Sequence, residues 1–192
     1  MGIANIKTPE DIFEYLNDNI DYGWLDYNHE LHLNTLKDFR QLYRTASLEE
    51  IIKYQVGTCI EQVILTSSLL TKLNIPNKNF CMRILKPNAK TVTYNETSYP
   101  AIEEDNIHTH CFVLHYLEGD VYQIEHANFE EKAIKHFISE RAALDYITKN
   151  HLKKTQGELL SVVEFSEIPA GLSYPEFNKY IDELEVIPQF KL

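Results

Sequence analysis

The chain has 192 residues, of which 44% are hydrophobic and 24% are charged, which is the length and composition of one folded domain. Its formal net charge of −11 at pH 7 argues against a nucleic-acid surface, because phosphate binding needs clustered Lys and Arg. We therefore expect a single domain over residues 1–192 that does not bind nucleic acid.

The N-terminal residues and the cysteines indicate the cellular compartment in which the protein works. The first residues lack the basic-then-apolar order of a signal peptide, and no uncharged apolar run approaches the roughly 20 residues that cross a bilayer. Cys59, Cys81 and Cys111 form neither a disulfide framework nor a Cys-x-x-Cys pair. We expect a cytoplasmic protein without a membrane segment, whose thiols are buried or available for chemistry.

The N-terminal quarter is predicted to be mainly helical. Thr8-Pro9-Glu10-Asp11 is typical of a helix start, with a capping Thr, an early Pro and acidic residues in the first turn. Tyr22-Gly23-Trp24 interrupts the helical pattern and is assigned to a loop. Residues 34–44 are predicted to form a second helix, and Ser47-Leu48-Glu49-Glu50 begins a short third helix through a capping box.

The next segment predicts a buried central helix. Gly57 precedes a second capping box, formed by Thr58 and Glu61, which places Cys59 at the first helical position. Residues 62–71 contain no charged side chain, and a helix that is apolar on most sides belongs in the core, packed against a sheet.

The second half of the chain is predicted to consist mainly of strands. The predicted strands are Asn79–Leu85, His110–Tyr116, Val121–Glu125 and Leu159–Phe165, with helices at 140–153 and from Ser173 onward. Residues 86–106 are polar and are assigned to a long loop or irregular hairpin, a candidate lid. Helices first, then a central helix, then mainly strands indicate an α+β fold.

The predicted elements bring a nucleophile and a base together. A thiol reacts as thiolate, and a helix N-terminus lowers its pKa, so Cys59 is the candidate nucleophile. His110 and Glu125 fall opposite one another across the predicted hairpin, where facing side chains lie about 5 Å apart, so the carboxylate can orient the imidazole as a base. The backbone N–H of Cys59 and a group from Gln55 or Tyr54 are candidate donors for an oxyanion.

On these residues the chain resembles the transglutaminase-like superfamily, which is related to papain. That family has Gly-x-Cys at the start of a core helix and a Leu-Gly-Ile-Pro-like turn at its end, matched here by Gly57-Thr58-Cys59 and Leu73-Asn74-Ile75-Pro76. It then has His-Ala-Trp at a strand start and Asp-Pro at the end of the returning strand, matched by His110-Cys111-Phe112 and Glu125-His126.

Within that superfamily the chain is similar to a small uncharacterised bacterial group with Gly-x-Cys-x-Asp-Gln-Val and Phe-Glu-His segments. Gln62-Val63, Phe112 and Ile124-Glu125-His126 match those segments, and Tyr22-Gly23-Trp24 is similar to the leading segment of the group. The resemblance covers about residues 20–150.

The resemblance implies a central Cys-bearing helix packed on an antiparallel sheet, and thiol-based acyl chemistry on an amide through an acyl-enzyme, with no cofactor. The substrate would be a peptide, a protein or a small amide, and the acceptor would be water or an amine. Two departures from the family pattern are visible: Glu125 replaces the usual Asp, which lengthens the arm by one methylene, and Phe112 replaces Trp, which can reshape the acyl pocket.

Two other functions remain open on the sequence alone. His108 and His110 lie on one strand face, since side chains repeat every second residue, and with His126 or Glu125 they would supply three ligands for zinc or iron. The second alternative is a catalytically inactive binding module that keeps the fold. Trp24 can be either a core residue or a substrate platform, and His126 competes with Glu125 as the group that orients His110.

Overall fold

The structure, a computed structural model, describes residues 2–86, 91–94, 97–100 and 106–190. Its helices are α1 (Pro9–Asn19), α2 (Phe39–Leu42), α3 (Leu48–Tyr54), α4 (Cys59–Lys72), α5 (Glu140–Thr155) and α6 (Tyr174–Asp182). Its strands are β1 (Gly23–Asp26), β2 (Leu31–Leu33), β3 (Tyr43–Arg44), β4 (Asn77–Leu85), β5 (Thr91–Tyr94), β6 (Thr97–Pro100), β7 (Ile107–Leu117), β8 (Asp120–Glu125), β9 (Ala133–Phe137) and β10 (Glu158–Phe165). Helices combined with antiparallel strands confirm the predicted α+β class. Within the described residues, no helix has both the length and the apolar character that crossing a bilayer requires.

The predicted helix starts are present where the capping signals lie. Thr8, Ser47 and Ser173 cap α1, α3 and α6, and in each the hydroxyl accepts a backbone N–H of the third helical residue. The acidic side chain at that third position accepts the backbone N–H of the cap in return. Each reciprocal pair satisfies two donors that a helix start leaves unpaired, so local chemistry determines these boundaries.

The main sheet has five antiparallel strands in the order β10-β4-β7-β8-β9 and a helix on each face. Alternate side chains along β4 and β7 point to opposite faces. Cys81 and Cys111 belong to the core shared with α4, whereas Phe80 and Phe112 belong to the core shared with α5. The sheet is therefore buried on both faces, and α4 packs most closely on β7 and β4.

The region between α1 and α3 differs from the prediction. Tyr22-Gly23-Trp24 was assigned to a loop, but β1 begins at Gly23 and lies between β2 and β3 in a small antiparallel sheet. The predicted helix over 34–44 is one turn, α2, because Asp38 has a left-handed backbone (φ 58°) and Tyr43 and Arg44 form β3. Pairing with β1 overrides the local helical pattern here.

The predicted hairpin is present with a register shifted by two residues. Leu114 pairs with Gln123 and Leu117 with Asp120 around a two-residue turn, Glu118-Gly119, in which both residues have positive φ. That turn type suits a tight hairpin. When this register is continued towards His110, Glu125 lies two residues away from the position opposite His110. Glu125 and His110 are therefore diagonal neighbours and do not face each other directly. A shift of two leaves both side chains on the same face.

Two further strands were not predicted, and one predicted segment is described only in part. β2 and β9 are short edge strands, β9 pairing with β8 from Val121↔Phe137 to Glu125↔Ala133. Within 86–106, β5 and β6 pair as an antiparallel hairpin, while residues 87–90, 95–96 and 101–105 lie outside the described residues. The lid predicted for this segment therefore stays a prediction, as does the single-domain organisation.

Candidate active site

Cys59 is the first residue of α4 and is half-buried. Thr58 caps the helix, its hydroxyl accepting the backbone N–H of Ile60 at 3.2 Å, and the Glu61 carboxylate accepts the backbone N–H of Thr58 at 3.0 Å. The sulfur therefore projects from the positive end of a rigid, buried helix, where a negative charge is stabilised.

The Glu61 side chain does more than cap its own helix. Its carboxylate accepts the Tyr43 hydroxyl at 2.6 Å and the Ala46 backbone N–H at 3.3 Å, in addition to its bonds with Thr58. Glu61 is 1% exposed, and burial raises the pKa of its carboxyl above the usual range although the hydrogen bonds oppose this. The carboxyl group joins the start of α4 to β3 and to the segment that enters α3, which fixes the position of Cys59.

His110 lies next to Glu125 in the interior. His110 Nε2 is 3.0 Å from Glu125 Oε2, and both residues are buried. The carboxylate also accepts the Gln123 side-chain amide at 3.0 Å and the Asn128 backbone N–H at 2.9 Å. Because Nε2 faces Glu125, Nδ1 is the ring nitrogen that remains for the Cys59 thiol, whose pKa His110 lowers.

His126 points elsewhere. Its Nδ1 lies 2.8 Å from the Gln62 side-chain oxygen, and its Nε2 lies 2.8 Å from Lys132 Nζ. A neutral imidazole that donates from Nδ1 to Gln62 and accepts at Nε2 from Lys132 satisfies both contacts. The group in contact with His110 is thus Glu125, as the sequence favoured, and His126 instead packs against the Cys59 helix.

The charges of these groups are coupled. A hydrogen bond from Cys111, together with His110, outweighs burial and holds the pKa of Cys59 well below its usual value. Burial alone would lower the pKa of His110, but the charge of Glu125 and the contact with Cys59 raise it to about 10. The pKa of Glu125 is lowered despite burial, mainly by His110. At neutral pH the arrangement therefore favours a thiolate beside an imidazolium.

Cys59 and His110 line a cleft of about 470 Å³, a volume within the range of small-molecule sites. Aromatic and apolar lining comes from Tyr22, Leu36, Phe39, Phe129 and Tyr174. Charged and polar lining comes from Arg40, Lys86, His108, Thr109, Glu130, His151 and Lys154. A substrate in this cleft would reach the sulfur and the imidazole together.

A family model described as a transglutaminase-like domain matches residues 2–98, half of the chain. The chain belongs to this family. The match contains Cys59 but ends before His110 and Glu125, so the contact between those two is known from the structure alone. No curated protein matches the chain.

Three residues predicted to bind substrate in this transglutaminase-like domain lie away from the cleft. Trp24 is 1% exposed, its Nε1 donates to the Thr35 carbonyl at 2.8 Å, and its ring stacks on His32. Trp24 is therefore a core residue, because it sits in a strand and not in a loop. Neither Gln55 nor Tyr54 is among the described residues that line the cleft.

The end of α3 explains why Gln55 and Tyr54 are not among the residues that line the cleft. Gln55 adopts a left-handed conformation there (φ 56°), and its side-chain amide donates to Asn19 Oδ1 at 3.4 Å. Tyr54 carries Lys53 over its ring, with Lys53 Nζ 4.7 Å from the ring centroid. Tyr22, one residue before β1, lines the cleft in their place.

His151 and Cys111 were missed as neighbours of the site. The His151 ring stacks on His110 with centroids 4.3 Å apart, and burial lowers its pKa to about 2. The buried positions Leu144, Ile147 and His151 of α5 repeat at helical spacing, a pattern that would have placed His151 on the inner face. Cys111 is a second buried thiol close to the site: its interaction with Cys59 lowers the pKa of Cys59, while burial raises the pKa of Cys111 itself.

The metal site considered as an alternative is not formed by the described histidines of the transglutaminase-like domain. His108, His110 and His126 are all described, and their ring nitrogens do not come within 4.8 Å of one another as a group. The group that does form among the described residues is Asp26, Glu30 and His32 at the β1–β2 turn. Asp26 there accepts two backbone N–H groups at 2.8 Å, which explains its position as part of the turn.

Proposed function

We propose that this domain is a thiol-dependent amide hydrolase or acyltransferase of peptidase, deamidase or transglutaminase type. The observation that carries the proposal is the contact chain from Cys59 through His110 to Glu125, at the wall of a cleft of about 470 Å³. A nucleophile, a base and a group that orients the base are the parts that thiol catalysis needs.

In the proposed reaction the Cys59 thiolate attacks the carbonyl carbon of an amide and forms a carbon–sulfur bond. The carbon–nitrogen bond then breaks, and the His110 imidazolium gives its proton to the departing amine. Water or a second amine attacks the resulting thioester, with His110 accepting the proton of the attacking group and Cys59 leaving as thiolate. Glu125 stabilises the imidazolium and fixes the ring through Nε2.

The oxyanion formed in each attack needs donors close to the sulfur. We assign one of them to the backbone N–H of Cys59, which lies at the first position of α4, where the N–H groups of a helix have no intrahelical acceptor. The acyl group would come from a peptide, a protein or a small amide. A reducing compartment such as the cytoplasm suits this chemistry, since the sulfur must stay reduced to act.

The test is the rate of Cys59 alkylation by iodoacetamide as a function of pH, with peptide mass mapping to assign the modified thiol. We expect the rate to follow a pKa well below the unperturbed value of about 8.5. His110→Ala removes the imidazolium and should return that pKa towards the unperturbed value. His136→Ala is the matched control, because His136 is an exposed histidine on β9 and should leave the profile unchanged.

Two results would reject the proposal. One is a Cys59 that is inert or that titrates like an ordinary thiol in the unaltered protein. The other is an alkylation profile that His110→Ala leaves unchanged, since the imidazole would then contribute nothing to the stability of the thiolate. With a substrate in hand, Cys59→Ala should abolish acylation while the thermal unfolding of the domain stays cooperative.

A further inference from the structure

The segment between β8 and β9 forms part of the wall of the cleft. Residues 127–130 line it, and a short 3-10 helix, Phe129–Glu131, lies within the segment. Phe129 is 83% exposed, and among the large hydrophobic side chains of the described residues Ile138, at 81%, comes nearest to it. A single exposed hydrophobic residue is common on a protein surface, so the surroundings of Phe129 decide whether it has a function.

The position of Phe129 is tied to the carboxylate that contacts His110. The backbone N–H of Asn128 donates to Glu125 Oε1 at 2.9 Å, while the other oxygen, Oε2, lies 3.0 Å from His110 Nε2. The backbone N–H of Glu131 in turn donates to the Asn128 carbonyl at 2.9 Å. The group that orients the imidazole therefore also fixes the path of the chain one residue before Phe129.

Ion pairs hold the residues that follow Phe129. Lys154 Nζ lies 3.1 Å from a Glu130 oxygen and 2.8 Å from a Glu131 oxygen, and Lys135 Nζ lies 2.6 Å from the other oxygen of Glu131. The two ammonium groups and the two carboxylates offset one another. This part of the wall is therefore close to electrically neutral, which suits an apolar group placed beside it.

The Phe129 ring itself is oriented by Lys132. Lys132 Nζ lies 5.4 Å from the ring centroid and 2.8 Å from His126 Nε2, and a cation at that distance is attracted to the face of an aromatic ring. Because the residue is exposed, most of the ring is still open to a molecule in the cleft. Covering a ring of this kind removes a large apolar area from water and orders few rotatable bonds.

We propose that Phe129 is a specificity-determining residue that binds an apolar side chain of the substrate beside the reacting amide, which rests on the thiol chemistry proposed above. The substrate class is a peptide or amide that carries an aromatic or large aliphatic group next to that amide. Leu36, Phe39 and Tyr174 line the same cleft and extend the apolar lining for such a group, as is usual in ligand sites.

The test compares three neutral alkylating reagents that differ in the group on the amide nitrogen. They are iodoacetamide, N-benzyliodoacetamide and N-(2-hydroxyethyl)iodoacetamide, and each forms the same carbon–sulfur bond with release of iodide. The readout is the second-order rate constant at Cys59 for each substituted reagent, divided by that for iodoacetamide, on the full chain at pH 7. Because each value is a ratio, changes in the thiolate population of Cys59 cancel.

We expect Phe129→Ala to lower the benzyl ratio about 3- to 10-fold, the scale of one aromatic contact, and to leave the hydroxyethyl ratio unchanged. Phe129→Leu keeps an apolar side chain and should keep part of the benzyl ratio. Ile138→Ala is the matched control, because Ile138 is exposed to the same degree but is not among the described residues that line the cleft. That variant should leave both ratios unchanged.

The outcomes separate this inference from the proposed function. If Cys59 reacts quickly with all three reagents but Phe129→Ala does not change the benzyl ratio, the role of Phe129 is wrong and the thiol chemistry stands. An equal fall in the hydroxyethyl ratio would also reject that role, because Phe129 would then not distinguish apolar from polar groups. So would a similar fall in Ile138→Ala. If Cys59 reacts with none of the reagents, the proposed function itself has failed.

Discussion

Replacing Glu61 by alanine tests how firmly the start of the Cys59 helix is anchored. The carboxylate accepts four hydrogen bonds, from the Tyr43 hydroxyl, the Ala46 N–H, and both the N–H and the hydroxyl of Thr58. Each buried donor that loses its partner costs about 1–3 kcal/mol. The alanine variant no longer has to bury a carboxyl group, whose pKa that burial raises, and this gain offsets part of the loss. We therefore expect Glu61→Ala to lower the free energy of unfolding by about 3–5 kcal/mol.

The assay is urea unfolding at pH 7, with the free energy of unfolding taken from the midpoint and slope. A loss of this size is a large fraction of the roughly 5–15 kcal/mol that a domain has. Glu61→Gln retains one carbonyl oxygen and should lose less. In folded Glu61→Ala, the alkylation rate of Cys59 should also fall, because the thiol is no longer held against His110.

Glu176→Ala is the matched control. Glu176 closes the same capping box at the start of α6, accepting the N–H and hydroxyl of Ser173 at 2.8 and 2.6 Å, but that box is exposed. Water can replace those bonds, so the loss should be much smaller than for Glu61→Ala. Equal losses in the two variants would refute the reasoning, since the buried bonds to Tyr43 and Ala46 would then contribute nothing.

Three further predictions follow from the electrostatics of the site. Glu125→Gln removes the charge that raises the pKa of His110, so the pKa of Cys59 alkylation should rise by about one unit or more; an unchanged profile contradicts the assigned role. Cys111→Ala should also raise the pKa of Cys59, whereas Cys111→Ser keeps a donor and should raise it less. Burial lowers the pKa of three buried histidines: to about 4 for His115 and His126, and to about 2 for His151. The unfolded chain binds protons at these sites from about pH 6.5 downward, whereas the folded chain does not. As the pH falls from 6.5 to its folded pKa, each histidine should therefore lower the free energy of unfolding by up to about 1.4 kcal/mol per pH unit. Urea unfolding at pH 7.5 and pH 5 checks this, and equal stability at both would refute it.

The parts of the site that the sequence predicted are those set by local chemistry. A capping threonine and an acidic residue three positions later determine where a helix begins, which is why Cys59 was placed correctly at the first position of α4. A tight turn with alternating strand formers on both sides determines a hairpin, which brought His110 and Glu125 to one face of the sheet.

The parts that the sequence missed depend on contacts between distant segments. Tyr43 bonds to Glu61 only after β3 pairs with β1, and no local pattern around residue 43 indicates that pairing. The position of Trp24 also depends on strand pairing, because a glycine and two aromatic residues fit a loop or a strand equally well until a partner strand is present. His151 reaches His110 through the packing of α5 on the face of the sheet that carries Phe112, where the His110 ring also lies.

The register of the hairpin gives a reason for the glutamate at position 125. The family pattern has an aspartate there, and directly opposite residues in an antiparallel pair lie about 5 Å apart, within reach of a short side chain. Here the pairing of Leu114 with Gln123 leaves Glu125 diagonal to His110, a separation of about 7–8 Å between backbones. One additional methylene extends the carboxylate along that diagonal, and the 3.0 Å contact between Glu125 Oε2 and His110 Nε2 is the result. The departure from aspartate and the two-residue shift of register therefore compensate each other, so that the orienting group reaches the imidazole in this chain with a longer side chain.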